Sequence, residues 1–213
     1  MLIVDDHRVL LDSLSAMLGD CKGLEVVGTA TTVEEAVAAA DACRPDVVLM
    51  DFRLRGGKGT VASAAIIARQ PGVAVVFLSA DDSESAMLAA FEAGAAAYMR
   101  KTDAMGTVEE VVLRAAADDL PMPRDLLARL LQHQRQRAPA VPGRPRPELA
   151  PRELDALRLL VRGLDDREAA GMLGLSEPAA RDLVGAVVAK MGCRTRLAAI
   201  LRAHELRLVD GVE

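Results

Sequence analysis

Five side chains carry the chemistry this sequence offers: Asp5, Asp6, Asp51, Ser79 and Lys101. Each stands at or just past the end of a short apolar run, residues 2–4 for the paired acids, 47–50 for Asp51, 73–78 for Ser79 and 96–99 for Lys101. Such runs, separated by stretches of helical period, are the sequence form of strands in a parallel sheet. In an open parallel sheet, ligands bind beyond the carboxyl ends of the strands, where the strand order reverses. The five groups are therefore expected to converge. Three carboxylates brought together repel one another unless a cation offsets them, and hard oxygen ligands with partial hydration suit Mg²⁺. A hydroxyl and an ammonium on the other side can hold phosphate oxygens. The chemistry that fits is attack by the Asp51 carboxylate on a phosphoryl group, with Mg²⁺ and Lys101 offsetting the charge that develops. Any one such aspartate would ordinarily cap a helix or solvate a loop; five together at strand ends carry the signal.

The elements that must position them follow from the periodicity of residues 1–118. Strands are expected at 2–4, 25–28, 47–50, 73–78 and 96–99, and helices at 9–18, 33–43, 60–69, 83–93 and 108–117. The intervening segments are rich in Ala and Leu and long enough to be crossover helices. Helices on both faces explain why the strands read as continuous apolar runs. The fold class is α/β, a doubly wound five-stranded parallel sheet.

Beyond it, residues 119–147 form a connector, with a helix expected at 124–136 and a proline-rich stretch at 138–147. Four prolines within ten residues suit an extended, semi-rigid linker. Residues 148–213 read as a small all-α domain, with helices at 151–162, 165–173, 177–191 and 195–205. Turn signals fall at Gly163, Gly174-Leu-Ser176 and Gly192, and Ser176 is placed to cap the third helix. Pro178 is tolerated in that helix's first turn, where N–H groups lack intrahelical partners.

Charge divides along the same lines. Residues 1–118 carry 10 basic against 18 acidic side chains, residues 119–147 carry 6 against 2, and residues 148–213 carry 10 against 11. Nothing is basic enough to announce nucleic acid by itself. No apolar run is long enough to cross a bilayer and no secretory signal is evident, so a cytosolic protein with no membrane partner is expected. Cys21, Cys43 and Cys193 are odd in number and lack CxxC spacing, and His7, His133 and His204 are scattered. Free, buried or half-buried thiols are expected rather than disulfides or a zinc site. Gly56-Gly-Lys-Gly-Thr60 has a phosphate-loop look, but Phe52 and Gly59 break the GxxxxGK[ST] pattern, and a mobile turn is expected. A dehalogenase-like phosphatase would place a second aspartate two residues after its nucleophile, where this chain has Arg53. An enzyme is not expected.

The runs Leu2-Ile-Val-Asp-Asp-His7, Met50-Asp51, Leu78-Ser-Ala80 and Ala93-Gly-Ala-Ala-Ala-Tyr-Met-Arg-Lys101 resemble the flavodoxin-like receiver domain of two-component response regulators, specifically the NarL/FixJ family. The resemblance implies phosphotransfer from a sensor histidine kinase to Asp51. It implies Mg²⁺ held by Asp6, Asp51 and the backbone carbonyl of Arg53, with help from Asp5. It also implies that Ser79 and Tyr98 move together as a switch. Arg55 and Lys58 depart from the family, standing where a proline and an acid are frequent. Both add positive charge beside Asp51, and a changed phosphoryl lifetime or kinase fit is expected.

Residues 149–209 resemble a LuxR-type helix-turn-helix domain, through Leu149-Ala-Pro-Arg-Glu153, Leu157, Gly163, Glu168, Ala170, Leu173-Gly-Leu-Ser176, Val184, Lys190 and Arg196. The resemblance implies DNA binding by a homodimer, the helix after Ser176 entering the major groove. Candidate DNA contacts are Arg181, Asp182, Lys190, Arg194 and Arg196. At 100° per residue, Ala180, Val184, Val187 and Met191 share the core stripe, leaving Pro178, Asp182, Gly185 and Ala189 outward. That face is poor in the Arg, Lys, Asn and Gln that read bases. Where relatives often have Ser-Asn, this chain has Asp165-Asp166. The alternative is a phosphorylation-gated regulator that binds a protein, with weakened or absent specific DNA binding.

Overall fold

Apolar runs flanked by crossover helices fold as their spacing dictates. The computed structural model describes residues 1–102, 104–117, 127–129, 131–132, 146–193 and 195–209. The chain divides into two compact units, Met1–Leu120 and Pro121–Glu213.

In the first unit the strands β1 (Leu2–Val4), β2 (Gly28–Ala30), β3 (Val47–Asp51), β6 (Ala74–Ser79) and β7 (Ala97–Arg100) form one sheet of order β2-β1-β3-β6-β7. Every pairing in it is parallel. The helices are α1 (Arg8–Gly19), α2 (Val33–Cys43), α3 (Gly59–Arg69), α4 (Glu84–Glu92) and α5 (Ala104–Ala116). Alternate strand residues point to opposite faces. Ile3, Leu49 and Val76 pack in one core with Leu11, Leu14 and Leu18 of α1 and Val108 and Val112 of α5. Leu2, Met50 and Phe77, one position out of step, are fully buried toward the other face. There α2 and α3 lie side by side, and Gln70 Nε2 donates to the Ala40 carbonyl at 2.5 Å.

Two expectations for this unit are corrected, the bounds of the second strand and the burial of Cys43. The second strand is Gly28–Ala30 and not 25–28, because backbone pairing with β1 (Leu2↔Gly28, Val4↔Ala30) fixes it, whereas Val26 and Val27 only look like its core. This is an edge strand, and Val27 is 37% exposed. The turn expected at Gly56-Gly is present, as the tip of a hairpin of β4 (Arg53–Leu54) and β5 (Gly57–Lys58) that pairs Arg53 with Lys58. Of the free thiols, Cys21 and Cys193 are half-buried but Cys43, at the end of α2, is exposed.

In the second unit, residues 127–129 and 131–132 are helical, with Leu127 and Leu131 buried; the rest of the helix expected at 124–136, and the stretch 138–145, lie outside the described residues. Four helices follow: α6 (Pro151–Val161), α7 (Asp166–Leu173), α8 (Glu177–Lys190) and α9 (Arg196–Glu205). Asp165 and Glu168 form a reciprocal capping box at α7, side chain to backbone at 2.8 and 3.1 Å. Gly174 ends α7 at φ 64°, a left-handed conformation that glycine adopts without a Cβ penalty. The chain then turns through Leu175 into α8, where Ser176 Oγ accepts from Ala179 N. Ala180, Val184, Val187 and Met191 are buried, the stripe expected from the sequence. Among the described residues no helix is long and apolar enough to cross a membrane.

Candidate functional site

The strand order reverses between β1 and β3, and both end in aspartate at that point. Asp5 follows β1 and is 1% exposed; Asp51 closes β3 and is 5% exposed. Ser79 ends β6 beside them and is buried. Lys101, just past β7, is fixed by its own N–H, which donates to the Ser79 carbonyl at 2.8 Å. Its Nζ lies 2.6 Å from Asp5 Oδ2 and 2.8 Å from Asp51 Oδ2. One ammonium thus serves two buried carboxylates.

Burial pushes the Asp51 carboxyl above its ordinary value, and the charge of Asp5 pushes the same way; Lys101 and the Arg53 N–H oppose this without cancelling it. For Lys101, burial alone would favour the neutral amine, but hydrogen bonds to Asp5 and Asp51 and their charges prevail and hold it above its ordinary value.

Ligand atoms of Asp5, Asp6, His7 and Asp51 lie within 4.8 Å of one another. Asp6 Oδ1 is buried without a well-formed hydrogen bond and faces His7 Nδ1 at 2.8 Å. An acidic pocket with a surplus of hard oxygen donors over positive charge fits Mg²⁺. Arg53 N donates to Asp51 Oδ1 at 3.3 Å, which leaves Oδ2 to Lys101.

Gly59 bears on this geometry directly. Its N–H donates to the Phe52 carbonyl at 2.9 Å, and a Cβ there would sit 2.0 Å from the Asp51 carbonyl oxygen. Only glycine allows the start of α3 to lie this close behind the acidic strand end. Close backbone approach is thus what Gly59 serves, whereas Gly56 supplies a positive φ of 84° to the turn before it.

The opening beside Asp51 and Ser79 is a cavity of about 600 Å³, lined also by Arg53 and Asp81. The sequence reading missed Asp81. Its N–H donates to Ser79 Oγ at 3.0 Å, its carbonyl accepts from the Tyr98 hydroxyl, and its carboxylate pairs with Arg53 at 3.1 Å. Hydrogen bonds from Ser83 and the Arg53 pair hold that carboxyl below its ordinary value. The available signal was spacing, since Asp81 follows Ser79 by two residues as Arg53 follows Asp51. Tyr98 is half-buried, its ring stacked on Phe77 at 6.5 Å and edge-on to Phe52 at 6.3 Å. Burial, with the nearby charges of Asp81, Asp51 and Asp82, raises its hydroxyl above the ordinary value. Arg55 is exposed and donates to the Asp6 carbonyl at 3.3 Å; Lys58 is exposed on β5.

Comparison with known proteins bears on the family and the fold. The sequence model of the family described as "Response regulator receiver domain" matches residues 1–112. The chain belongs to the response regulator family. The response regulator is 33% identical over 208 residues to the DNA-binding transcriptional activator DevR/DosR of Mycobacterium tuberculosis, covering 96% of this chain and 94% of that one. A two-component response regulator of the LuxR family from Aurantimonas has a similar structure, at TM-score 0.54 and 25% identity over 62% of this chain and 95% of its own. The RcsB response regulator of Salmonella typhimurium shares the fold over 98% of this chain and 97% of its own, at TM-score 0.52 and 20% identity.

In the second unit of this response regulator, the basic candidates Arg181, Lys190 and Arg196 each pair with a carboxylate of the same unit. Arg181 Nε lies 2.9 Å from Asp166 Oδ2, and its NH2 3.4 Å from Glu177 Oε1. Arg196 NH2 lies 2.6 Å from Asp166 Oδ1, and Lys190 Nζ 2.8 Å from Glu153 Oε1. Asp182 is exposed, as are Pro178, Gly185 and Ala189. Arg194 lies outside the described residues.

Proposed function

We propose that this protein is a two-component response regulator that accepts a phosphoryl group on Asp51 from a sensor histidine kinase and controls transcription through DNA binding by its C-terminal unit. The carrying observation is Lys101 Nζ bridging Asp5 and Asp51 at 2.6 and 2.8 Å, with Ser79 buried beside them. A carboxylate oxygen of Asp51 attacks phosphorus, a new P–O bond forms, and the donor's bond to phosphorus breaks with its electron pair leaving on the donor. Lys101 offsets charge on the transferred group, and the Ser79 hydroxyl offers it a hydrogen bond. Asp6, Asp51 and the Arg53 carbonyl, helped by Asp5, would hold Mg²⁺, which supplies charge neutralisation of the transferred oxygens when bound. Ser79 and Tyr98 both meet Asp81, which supports their joint role as a switch. The protein serves as a phosphoacceptor in the cytoplasm rather than as an enzyme turning over its own substrate.

Incubation with acetyl phosphate and Mg²⁺ is expected to add one phosphoryl group to the intact mass, and Asp51→Asn to add none. An Asp51→Asn variant that still gains one would refute the assignment. Residues 148–213 are taken as the helix-turn-helix domain, dimeric on DNA, and residues 119–147 as its linker. Footprinting of genomic fragments by the phosphorylated protein is expected to give protected sites of two-fold symmetry.

A second reading rests on the outward face of α8. Pro178, Asp182, Gly185 and Ala189 include no Arg, Lys, Asn or Gln to read bases, which favours a phosphorylation-gated protein contact in place of specific DNA binding. Persistent absence of footprints at low salt would decide for it.

A further inference from the structure

We infer that Asp166 withholds Arg181 from DNA: the buried carboxylate at the start of α7 holds the guanidinium of α8 against the protein, so that α8 meets a duplex with its positive charge already neutralised. This rests on the reading of the C-terminal unit as a DNA-binding domain. Asp166 is 2% exposed and takes Arg181 Nε on one oxygen, at 2.9 Å, and Arg196 NH2 on the other, at 2.6 Å. Arg196 is 14% exposed and Arg181 48% exposed, so the first is interior to the unit and the second lies at its surface. Glu177, one turn before Arg181, adds a second carboxylate at 3.4 Å. Two carboxylates thus stand beside the one guanidinium of Arg181.

The physical asymmetry lies in burial. The attraction of a carboxylate shielded from water is screened less by water and salt than that of an exposed phosphate, so Asp166 competes well for Arg181 even with Arg196 on its other side. Arg181 thus stays on Asp166 even when a polyanion approaches. The other cation of α8, Lys190, is already engaged by Glu153 of α6 at 2.8 Å. With Pro178, Asp182, Gly185 and Ala189 on the outward face, Arg181 is the side chain through which α8 could release counterions, and Asp166 decides whether it does. Asp166 is a positioning residue acting through Arg181.

The test is the salt dependence of binding by the full chain to a random-sequence duplex, read by fluorescence anisotropy. Asp166→Asn keeps the side-chain shape while removing the charge. Its plot of log affinity against log salt is expected to steepen by about one unit, with a roughly tenfold gain at low salt, as for one added phosphate contact. Arg181→Ala alone is expected to leave the wild-type slope unchanged, yet to return the slope of Asp166→Asn to wild type. A bracing role for Asp166 would not produce that dependence on Arg181. An unchanged slope in folded Asp166→Asn overturns the inference, as does a shallower one, which would mean that Asp166 presents the guanidinium. If Asp166→Asn fails to fold, Arg181→Ala still decides, because loss of one unit from the wild-type slope means that Arg181 reaches phosphate. If neither folded wild type nor folded Asp166→Asn binds any duplex at low salt, the DNA-binding reading itself falls, and the inference with it.

Discussion

Lys101 neutralises one charge where two carboxylates are buried, and the acidic strand ends depend on it. Removing one partner from a buried ion pair leaves an uncompensated charge, a loss of about 3 to 5 kcal/mol. Lys101→Met leaves Asp5 and Asp51, 1% and 5% exposed, facing each other without it. Its stability to denaturant without divalent cation is expected to fall by about 3 kcal/mol. Millimolar Mg²⁺ is expected to restore part of the loss and to raise the variant's midpoint more than the wild type's. Equal responses of the two proteins to Mg²⁺ would mean that the cation does not share the work of Lys101. Asp51→Asn is expected to behave in the opposite sense, losing phosphate acceptance while keeping stability, because an amide relieves the burial and repulsion that raise the Asp51 carboxyl.

At the scale of elements, ion pairs between helices supplement the apolar packing of the second unit. Glu153 joins α6 to α8 through Lys190 and also accepts the Ala150 N–H at 2.8 Å, satisfying one orphan donor at the start of α6. The Lys190 hydrogen bond, then the Ala150 N–H, hold the Glu153 carboxyl below its ordinary value. A group with a depressed folded value binds its proton less readily folded than unfolded. Its contribution is therefore complete above the unfolded carboxylate range, near about 4.3, and is lost as the pH falls through the folded value. Glu153→Gln is expected to be less stable than wild type at neutral pH, with the gap closing on acidification. Urea midpoints of the two proteins measured across that range check this; a gap that widens toward acid would rule out the pair as its source.

At the scale of the whole molecule, the chain has two compact units, Met1–Leu120 and Pro121–Glu213. All five residues of the acceptor pocket, and the strands that end in them, belong to the first. A fragment of residues 1–120 is therefore expected to fold by itself and to gain one phosphoryl group from acetyl phosphate, lost again in Asp51→Asn. Circular dichroism and intact mass of the fragment check both halves. An unfolded fragment would show that the first unit depends on the second.

Sequence alone was enough to place Asp5, Asp51, Ser79 and Lys101 at one edge of a sheet. Burial imposes continuous apolar runs on β1, β3 and β6, and a parallel sheet gathers the residues at their carboxyl ends. Helix bounds were also legible where caps are local, as at Ser176 and Gly174. The second strand was not, because Gly28–Ala30 is set by backbone pairing with β1, and hydrophobicity points to Val26 and Val27 instead. Nor were Asp81 in the pocket or the partners of Arg181, Lys190 and Arg196. Apart from Glu177, four residues before Arg181 on the same helix, these charge pairs join residues far apart in sequence, and the packing of one helix against another decides which carboxylate a cation meets.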